Sequence, residues 1–189
     1  MPVRRKTATA RPNRTEYAVL GLLARGPTSG YALKKRVEEQ LSHFWHESFG
    51  HLYPILARLH RRGWVRKKTR TAKGRPSRNE YSLTEAGRTA LQQWFWEPLQ
   101  PLPPRNELLL RIFLGRSAPP GALAQHVAAY RAQRADDLRT LEYIAKQLAA
   151  EAAGDPEYPQ WEMTLRAGIL ASRAALTWCD ETLPKLSTG

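Results

Sequence analysis

One cysteine, Cys179, is the chain's only thiol, so no internal disulfide and no Cys-x-x-Cys zinc or redox site is open to it. Long apolar runs are missing too. The longest, Tyr17 to Ala24, falls far short of the roughly 18 residues that suggest a membrane span. The leader MPVRRKTATARPNR has basic residues but no apolar segment behind them, so neither a secretory signal nor a membrane partner is expected, and the cytoplasm is the expected compartment. Catalytic signatures are equally scarce: there is no phosphate-binding glycine loop, nucleophile elbow, zinc-protease histidine pair or evident carboxylate dyad. The reading is therefore of a non-enzyme without a cofactor. Acidic residues are few up to Ser82, where 5 Asp and Glu face 19 Lys and Arg, net +14. Beyond Ser82 the counts are 12 and 11, net −1.

With 42% hydrophobic and 25% charged residues, the 189-residue chain can bury a normal core. Its whole positive excess lies in the first half, which points to a polyanion-binding module joined to a nearly neutral module that serves assembly or sensing. Nucleic acid heads the list of partners for a chain of net charge +13.

Helical spacing of Tyr17, Leu20, Leu23 and Ala24 predicts a first helix from Thr15, stopped by Gly26-Pro27. Thr28 or Ser29 caps a second, carrying Tyr31, Leu33, Val37 and Leu41. Ser48 is placed to cap a third, whose face Leu52, Ile55, Leu56 and Leu59 runs to Gly63, with Pro54 near its start. Residues 64–70 and 78–83 alternate as strands about a basic tip, Thr71 to Ser77, and predict a β-hairpin. Thr84 caps a fourth helix to about Glu97, and EPLQPLPPRN makes a stiff connection. Next come the short helix ELLLRIFLG, a long helix from Ser117 to about Ala153, and a last helix from Glu157 to Leu183. Two long helices joined by Gly154-Asp155-Pro156 form an antiparallel hairpin too thin to bury both faces, for which a partner chain is the simplest cover. The fold class is thus mainly α with a small β-hairpin. Its expected divisions are a basic disordered arm at 1–14, a winged helix domain at 15–97, a proline-rich linker at 98–105 and a helical domain for dimerisation and effector binding at 106–189.

Three helices and a basic hairpin follow the order of a winged helix-turn-helix. The segments YAVLGLLARGPTSGYAL, SFGHLYPILARLHRRGWV and GRPSRNEYSLTEAGRTAL resemble the PadR family of transcriptional regulators over roughly residues 15–95, with Tyr53-Pro54, Leu59, Gly63, Tyr81, Leu83, Thr84 and Gly87 in the family's pattern. The C-terminal helices resemble the longer subgroup. This likeness implies a homodimeric repressor of a nearby gene or of its own promoter, released by a small aromatic or amphipathic effector. Two third helices would enter successive major grooves of a pseudo-palindromic double-stranded operator, with the wings on its flanks. An activator or co-activator of the same fold, or a non-catalytic RNA- or protein-binding module, is the alternative.

The third helix is the expected recognition helix, with Ser48, His51, Tyr53 and Arg58 as its DNA-binding candidates; the resemblance implies that Tyr53 touches the DNA backbone, and core packing is the rival role. In the hairpin Arg70, Lys73, Arg75 and Arg78 crowd together and repel one another until an anion arrives. Arg4, Arg5, Lys6, Arg11 and Arg14 are placed to follow an adjacent groove as an arm. His43, His46, Glu47 and His51 have metal-like chemistry, but no cysteine joins them and Phe44 and Trp45 lie between, so no metal is expected. Trp94 and Trp96 are candidates for an aromatic effector pocket, with core or interface packing as the alternative. Cys179 reads as a buried small apolar residue.

Overall fold

The computed structural model describes residues 13–41, 44–45, 52–70, 78–99 and 105–187. The chain divides into two compact units, Met1–Gln100 and Pro101–Gly189.

In the first unit α1 (Arg14–Ala24) is the central element. Its cap is Asn13, whose side chain accepts from the Thr15 N–H, and the helix buries Tyr17, Val19, Leu20, Leu22 and Leu23. The expected start at Thr15 moves back by one residue, so Arg14 belongs to α1 and not to an arm before it. Ser29 caps α2 (Gly30–Gln40) through its Oγ, which accepts from Ala32 N at 3.2 Å. Leu33 and Val37, one turn apart, are buried, while Lys34–Glu38 and Lys35–Glu39 pair along the exposed face. Helix α3 (Leu52–Arg61) turns Leu52, Ile55, Leu56 and Leu59 inward. Pro54 is its third residue, where a missing N–H breaks no helical bond. The Ser48 cap expected for it lies outside the described residues.

Thr28–Ser29 is also a strand, β1, which the sequence had offered only as a helix cap. It pairs antiparallel with β3 (Arg78–Leu83), which pairs in turn with β2 (Val65–Arg70), giving the order β1-β3-β2. The register sets Val65 opposite Leu83, Lys67 opposite Tyr81 and Arg70 opposite Arg78. Thr84 then caps α4 (Glu85–Trp96): its Oγ accepts from Gly87 N at 3.1 Å and donates to the Gly63 carbonyl at 2.7 Å. Gly87 is required by close approach, since a Cβ there would lie 2.2 Å from the Trp64 carbonyl oxygen. Tyr17 closes one end of the core, stacked on Trp94 with ring centres 5.0 Å apart and planes within 10°.

The second unit starts with α5 (Glu107–Phe113), capped by Asn106, whose Oδ1 accepts from Leu109 N at 3.1 Å. A single 3₁₀ turn, Gly115–Ser117, follows. The long helix α6 (Ala122–Glu151) therefore begins later than the Ser117 start expected from the sequence. Ala118, held extended ahead of Pro119, cannot continue a helix, and Gly121 at φ 78° redirects the chain into α6. The last helix, α7 (Tyr158–Ser187), runs through Pro184 and so extends beyond the expected Leu183 end. The two helices are antiparallel: Tyr130 meets Trp178 edge-on at 6.3 Å, and Leu141 Cδ1 would lie 3.0 Å from a Cβ on Gly168. Arg131–Asp180 at 2.6 Å and Arg173–Glu142 at 2.6 Å bridge them. Val127, Leu141, Ile169 and Cys179 are buried along this seam, whereas Leu110, Phe113, Leu114, Tyr143 and Met163 are exposed. Among the described residues no helix is long and apolar enough to cross a membrane.

Candidate nucleic-acid interface

Alternation along the hairpin sorts its side chains onto two faces. Val65, Tyr81 and Leu83 share the face that meets the core, with Val65 and Tyr81 buried. Arg66, Lys68 and Arg70 of β2 and Glu80 and Arg78 of β3 share the other, and all four cations are exposed. Ser29 of β1 sits beside Glu80 on that outer face.

Arg70 and Arg78 are direct cross-strand neighbours, an arrangement that repels unless each guanidinium has its own acceptor. Arg70 Nε donates to Glu80 Oε2 at 2.8 Å, and Arg78 Nη2 donates to Ser29 Oγ at 3.0 Å. Together with Pro27 and Thr28 these residues line a cleft of about 280 Å³ between β1 and the hairpin. Two guanidinium groups and the Glu80 carboxylate edge this cleft, so the balance of charge there is positive.

Helix α3 packs into the core that the inner face of the hairpin also joins. Spacing its buried residues at 52, 55, 56 and 59 leaves Tyr53, Ala57, His60 and Arg61 on the outward stripe. Tyr53 is 56% exposed and its ring lies over the start of α2, where a Cβ on Gly30 would come within 2.8 Å of Tyr53 Cε1. Glycine at that position makes room for the ring. The core role weighed for Tyr53 thus gives way to a surface position. Burial pushes the Tyr81 phenol above its ordinary value, and neighbouring Tyr53 pushes the same way. His60 Nδ1 bonds the Val65 carbonyl at 2.9 Å and so joins the end of α3 to the first residue of the hairpin; the carbonyl only accepts, so this nitrogen carries the proton.

Arg58 sits at the margin of the stripe and is turned toward α1. Its Nε donates to Glu16 Oε1 at 2.7 Å, while Arg62 Nη1 donates to Glu16 Oε2 at 2.5 Å. Glu16 is buried, at 2% exposure, so a carboxylate inside the unit is matched by two cations, one on α3 and one just past its end. Arg58, picked out from the sequence for DNA, therefore has a structural bond to make, and Arg62 completes it by lying over the Trp64 ring at 5.4 Å.

Of the other residues singled out from the sequence, Arg70 and Arg78 stand together on the outer face of the hairpin. Trp94 and Trp96 part company. Two residues apart on α4, they project to nearly opposite sides; Trp94 packs against the core and Trp96 is 91% exposed. Arg4, Arg5, Lys6, Arg11, Ser48, His51, Lys73 and Arg75 lie outside the described residues, as do His43, His46 and Glu47 of the histidine cluster. Among the described residues no group of three or more His, Cys, Asp or Glu is arranged to hold a metal. Sequence reasoning passed over Arg66 and Lys68, although the alternation of VRKKTR against the apolar Val65 marks them as outward. Tyr31, grouped by the sequence with Leu33 and Val37 on the apolar face of α2, is instead 72% exposed in the first turn of that helix.

Residues 19–93 match the transcriptional regulator PadR-like family, and residues 104–187 match the virulence activator alpha C-terminal family. A probable transcriptional regulator of Mycobacterium tuberculosis is 29% identical over 181 residues, covering 90% of this chain and 96% of that protein. The negative transcriptional regulator PadR of Bacillus subtilis is 31% identical over 100 residues, covering 52% of this chain and 54% of that protein. Among solved structures, B. subtilis PadR in complex with operator DNA superposes with a TM-score of 0.80 at 23% identity, over 92% of this chain and 99% of that one. The same protein in complex with p-coumaric acid gives 0.74 at 24% identity, over 92% and 99%. The winged helix and the helical hairpin described above are thus those of a known architecture. Residues 19–93 belong to the PadR-like family of transcriptional regulators, whose members are DNA-binding proteins and not enzymes.

Proposed function

We propose that this regulator is a homodimeric, sequence-specific repressor that binds a pseudo-palindromic double-stranded DNA operator and is released by a small aromatic or amphipathic effector. The observation that carries the reading is the outer face of the hairpin, where Arg66, Lys68, Arg70 and Arg78 are exposed, together with the exposed Tyr53 on α3. Phosphate contacts from this face position the protein, and α3 supplies the side chains that reach base edges. In this reading residues 15–97 are the DNA-binding domain, with Tyr53, Arg58, Arg70, Lys73, Arg75 and Arg78 as contacts. Ser48 and His51 extend that set at the start of the recognition helix, and the basic residues ahead of α1, Arg4, Arg5, Lys6 and Arg11, follow a neighbouring groove as an arm.

Residues 106–189 assemble the dimer, joined to the DNA-binding domain through a linker at 98–105. Exposed Leu110, Phe113 and Leu114 on and after α5, and Met163 and Leu170 on α7, support this, because apolar side chains in such number favour a covered face. The effector is the finer part of the reading. It is supported by the complex of B. subtilis PadR with p-coumaric acid, and the exposed ring of Trp96 is a candidate contact, with Trp94 turned to the core. An effector that prefers the dimer form with the wrong separation of recognition helices would lower DNA affinity by its differential binding alone.

Fluorescence anisotropy with the duplex upstream of the chain's own gene, against a scramble at several salt concentrations, tests the DNA arm. A preference of roughly a thousandfold supports specific regulation, whereas equal and steeply salt-sensitive binding to both overturns it for that site. Sedimentation tests the dimer. The match of residues 104–187 to a virulence activator family favours a second reading, activation together with another factor. A reporter carrying the upstream region separates the two by the sign of its response.

A further inference from the structure

The outer face of the sheet holds one acidic residue among four cations, and it stands at the centre. Glu80 lies on the middle strand, directly across from Lys68 on β2 and from Ser29 on β1. Its side chain is 26% exposed, and Oε2 holds Arg70 Nε at 2.8 Å. Nothing in the packing of the strand requires an acid here, because the inward positions Tyr81 and Leu83 supply the core contacts.

We propose that Glu80 is a positioning and specificity-determining residue of the hairpin, resting on the reading that this face meets DNA. Two effects follow from its place. An arginine bound through Nε keeps its two terminal nitrogens for a second acceptor, and its planar fork is fixed before any ligand arrives. Glu80 thereby aims Arg70. Secondly, the carboxylate opposes every phosphate that approaches the four cations. Phosphates carry no sequence information, so this opposition weakens binding to all duplexes alike, whereas the aimed Arg70 helps only where the DNA offers an acceptor in the matching place. Discrimination is the difference between the two, and Glu80 raises it by lowering the sequence-independent part.

The test uses the full chain, a duplex of about 30 base pairs enriched by this protein from a random pool, and a scramble of it. In Glu80→Gln, shape and an acceptor for Arg70 remain while the charge goes. The scramble is expected to bind roughly 3- to 10-fold more tightly at about 0.1 M salt, with the slope of log affinity against log salt steeper by about 1. The selected duplex should gain less, so that the ratio of the two affinities falls at least about threefold. Glu80→Thr, which suits a strand and removes both the charge and much of the aim, should raise binding to the scramble similarly and lose more discrimination. A merely structural residue would not strengthen binding to any DNA. Equal gains on both duplexes, or none on the scramble, overturn the proposal. If Arg70→Gln weakens binding while Glu80→Gln changes nothing, only this inference fails. If Arg70→Gln and Arg78→Gln together leave both affinities unchanged, the reading of the hairpin as a DNA-binding face fails with it.

Discussion

Glu16 and Arg58 are joined across 42 residues of chain by a 2.7 Å hydrogen bond from Nε to Oε1. The acid belongs to the central helix of the first unit and the base to the helix proposed to read DNA. With Arg62 on the second oxygen, the carboxylate fixes how α3 lies against α1.

Replacing Glu16 by Gln leaves a neutral amide facing two guanidinium groups in a buried place. Loss of stability of about 1.5–3 kcal/mol is expected, the range for hydrogen bonds to charged groups. Urea denaturation should show the midpoint moving down with an unchanged slope. An unaltered midpoint would mean that the pair contributes nothing net.

Gly30→Ala separates binding from stability. The new Cβ would meet the edge of the Tyr53 ring at 2.8 Å, and a side chain that is 56% exposed can swing away at little cost. Stability should change by less than about 1 kcal/mol, since alanine is also the better helix former. DNA affinity should fall roughly 3- to 10-fold because the displaced Tyr53 no longer lies where the phosphate contact is expected. Anisotropy and thermal unfolding on the same sample decide it.

Gly87→Ala meets backbone where Gly30→Ala meets a mobile ring. At 2.2 Å from the Trp64 carbonyl oxygen, the methyl forces α4 away from the turn into β2. A destabilisation of about 2–4 kcal/mol is expected, read as a lower unfolding temperature, and a variant as stable as the parent would contradict the close approach.

Lys68→Gln removes one exposed cation from the outer face of the hairpin. The salt slope should become shallower by about 0.9, by the same amount for selected and scrambled duplexes, because a phosphate contact reads no sequence. A loss confined to the selected duplex would instead assign Lys68 to base recognition.

Cys179 is buried against α6, and burial pushes its thiol above the ordinary value near 9, with Asp180 acting in the same direction and Arg131 against it. The unfolded chain then releases this proton before the folded one does. Its stabilising effect is complete below the unfolded value and is lost as pH rises through the higher folded value. A thiol-reactive dye should label the native protein slowly, and Cys179→Ala should flatten the alkaline fall in stability. Rapid labelling without unfolding would argue against burial of the thiol.

Much of the local structure was legible because its causes are local. Caps at Ser29 and Thr84 lie within three residues of the N–H groups they satisfy, and the spacing of Leu52, Ile55, Leu56 and Leu59 states which face of α3 turns inward. Where locality ended, reading went astray. Ser117 resembles a helix start, yet the extended Ala118 before Pro119 delays α6 to Ala122. Thr28 and Ser29 are too short a segment to announce a strand, and become one only because β3 arrives beside them. Arg58 resembled a cation free to meet DNA because its partner, Glu16, lies 42 residues away.

By itself the sequence determined that a basic first half would fold as helices and a hairpin ahead of a nearly neutral pair of long helices, since charge, periodicity and capping act over a few residues. Only the tertiary structure decided which cations face outward and which are spent inside. A charged side chain is committed by the group it meets when helices and strands pack, and that meeting joined Arg58 to buried Glu16 while leaving Arg66, Lys68, Arg70 and Arg78 exposed on the outer face.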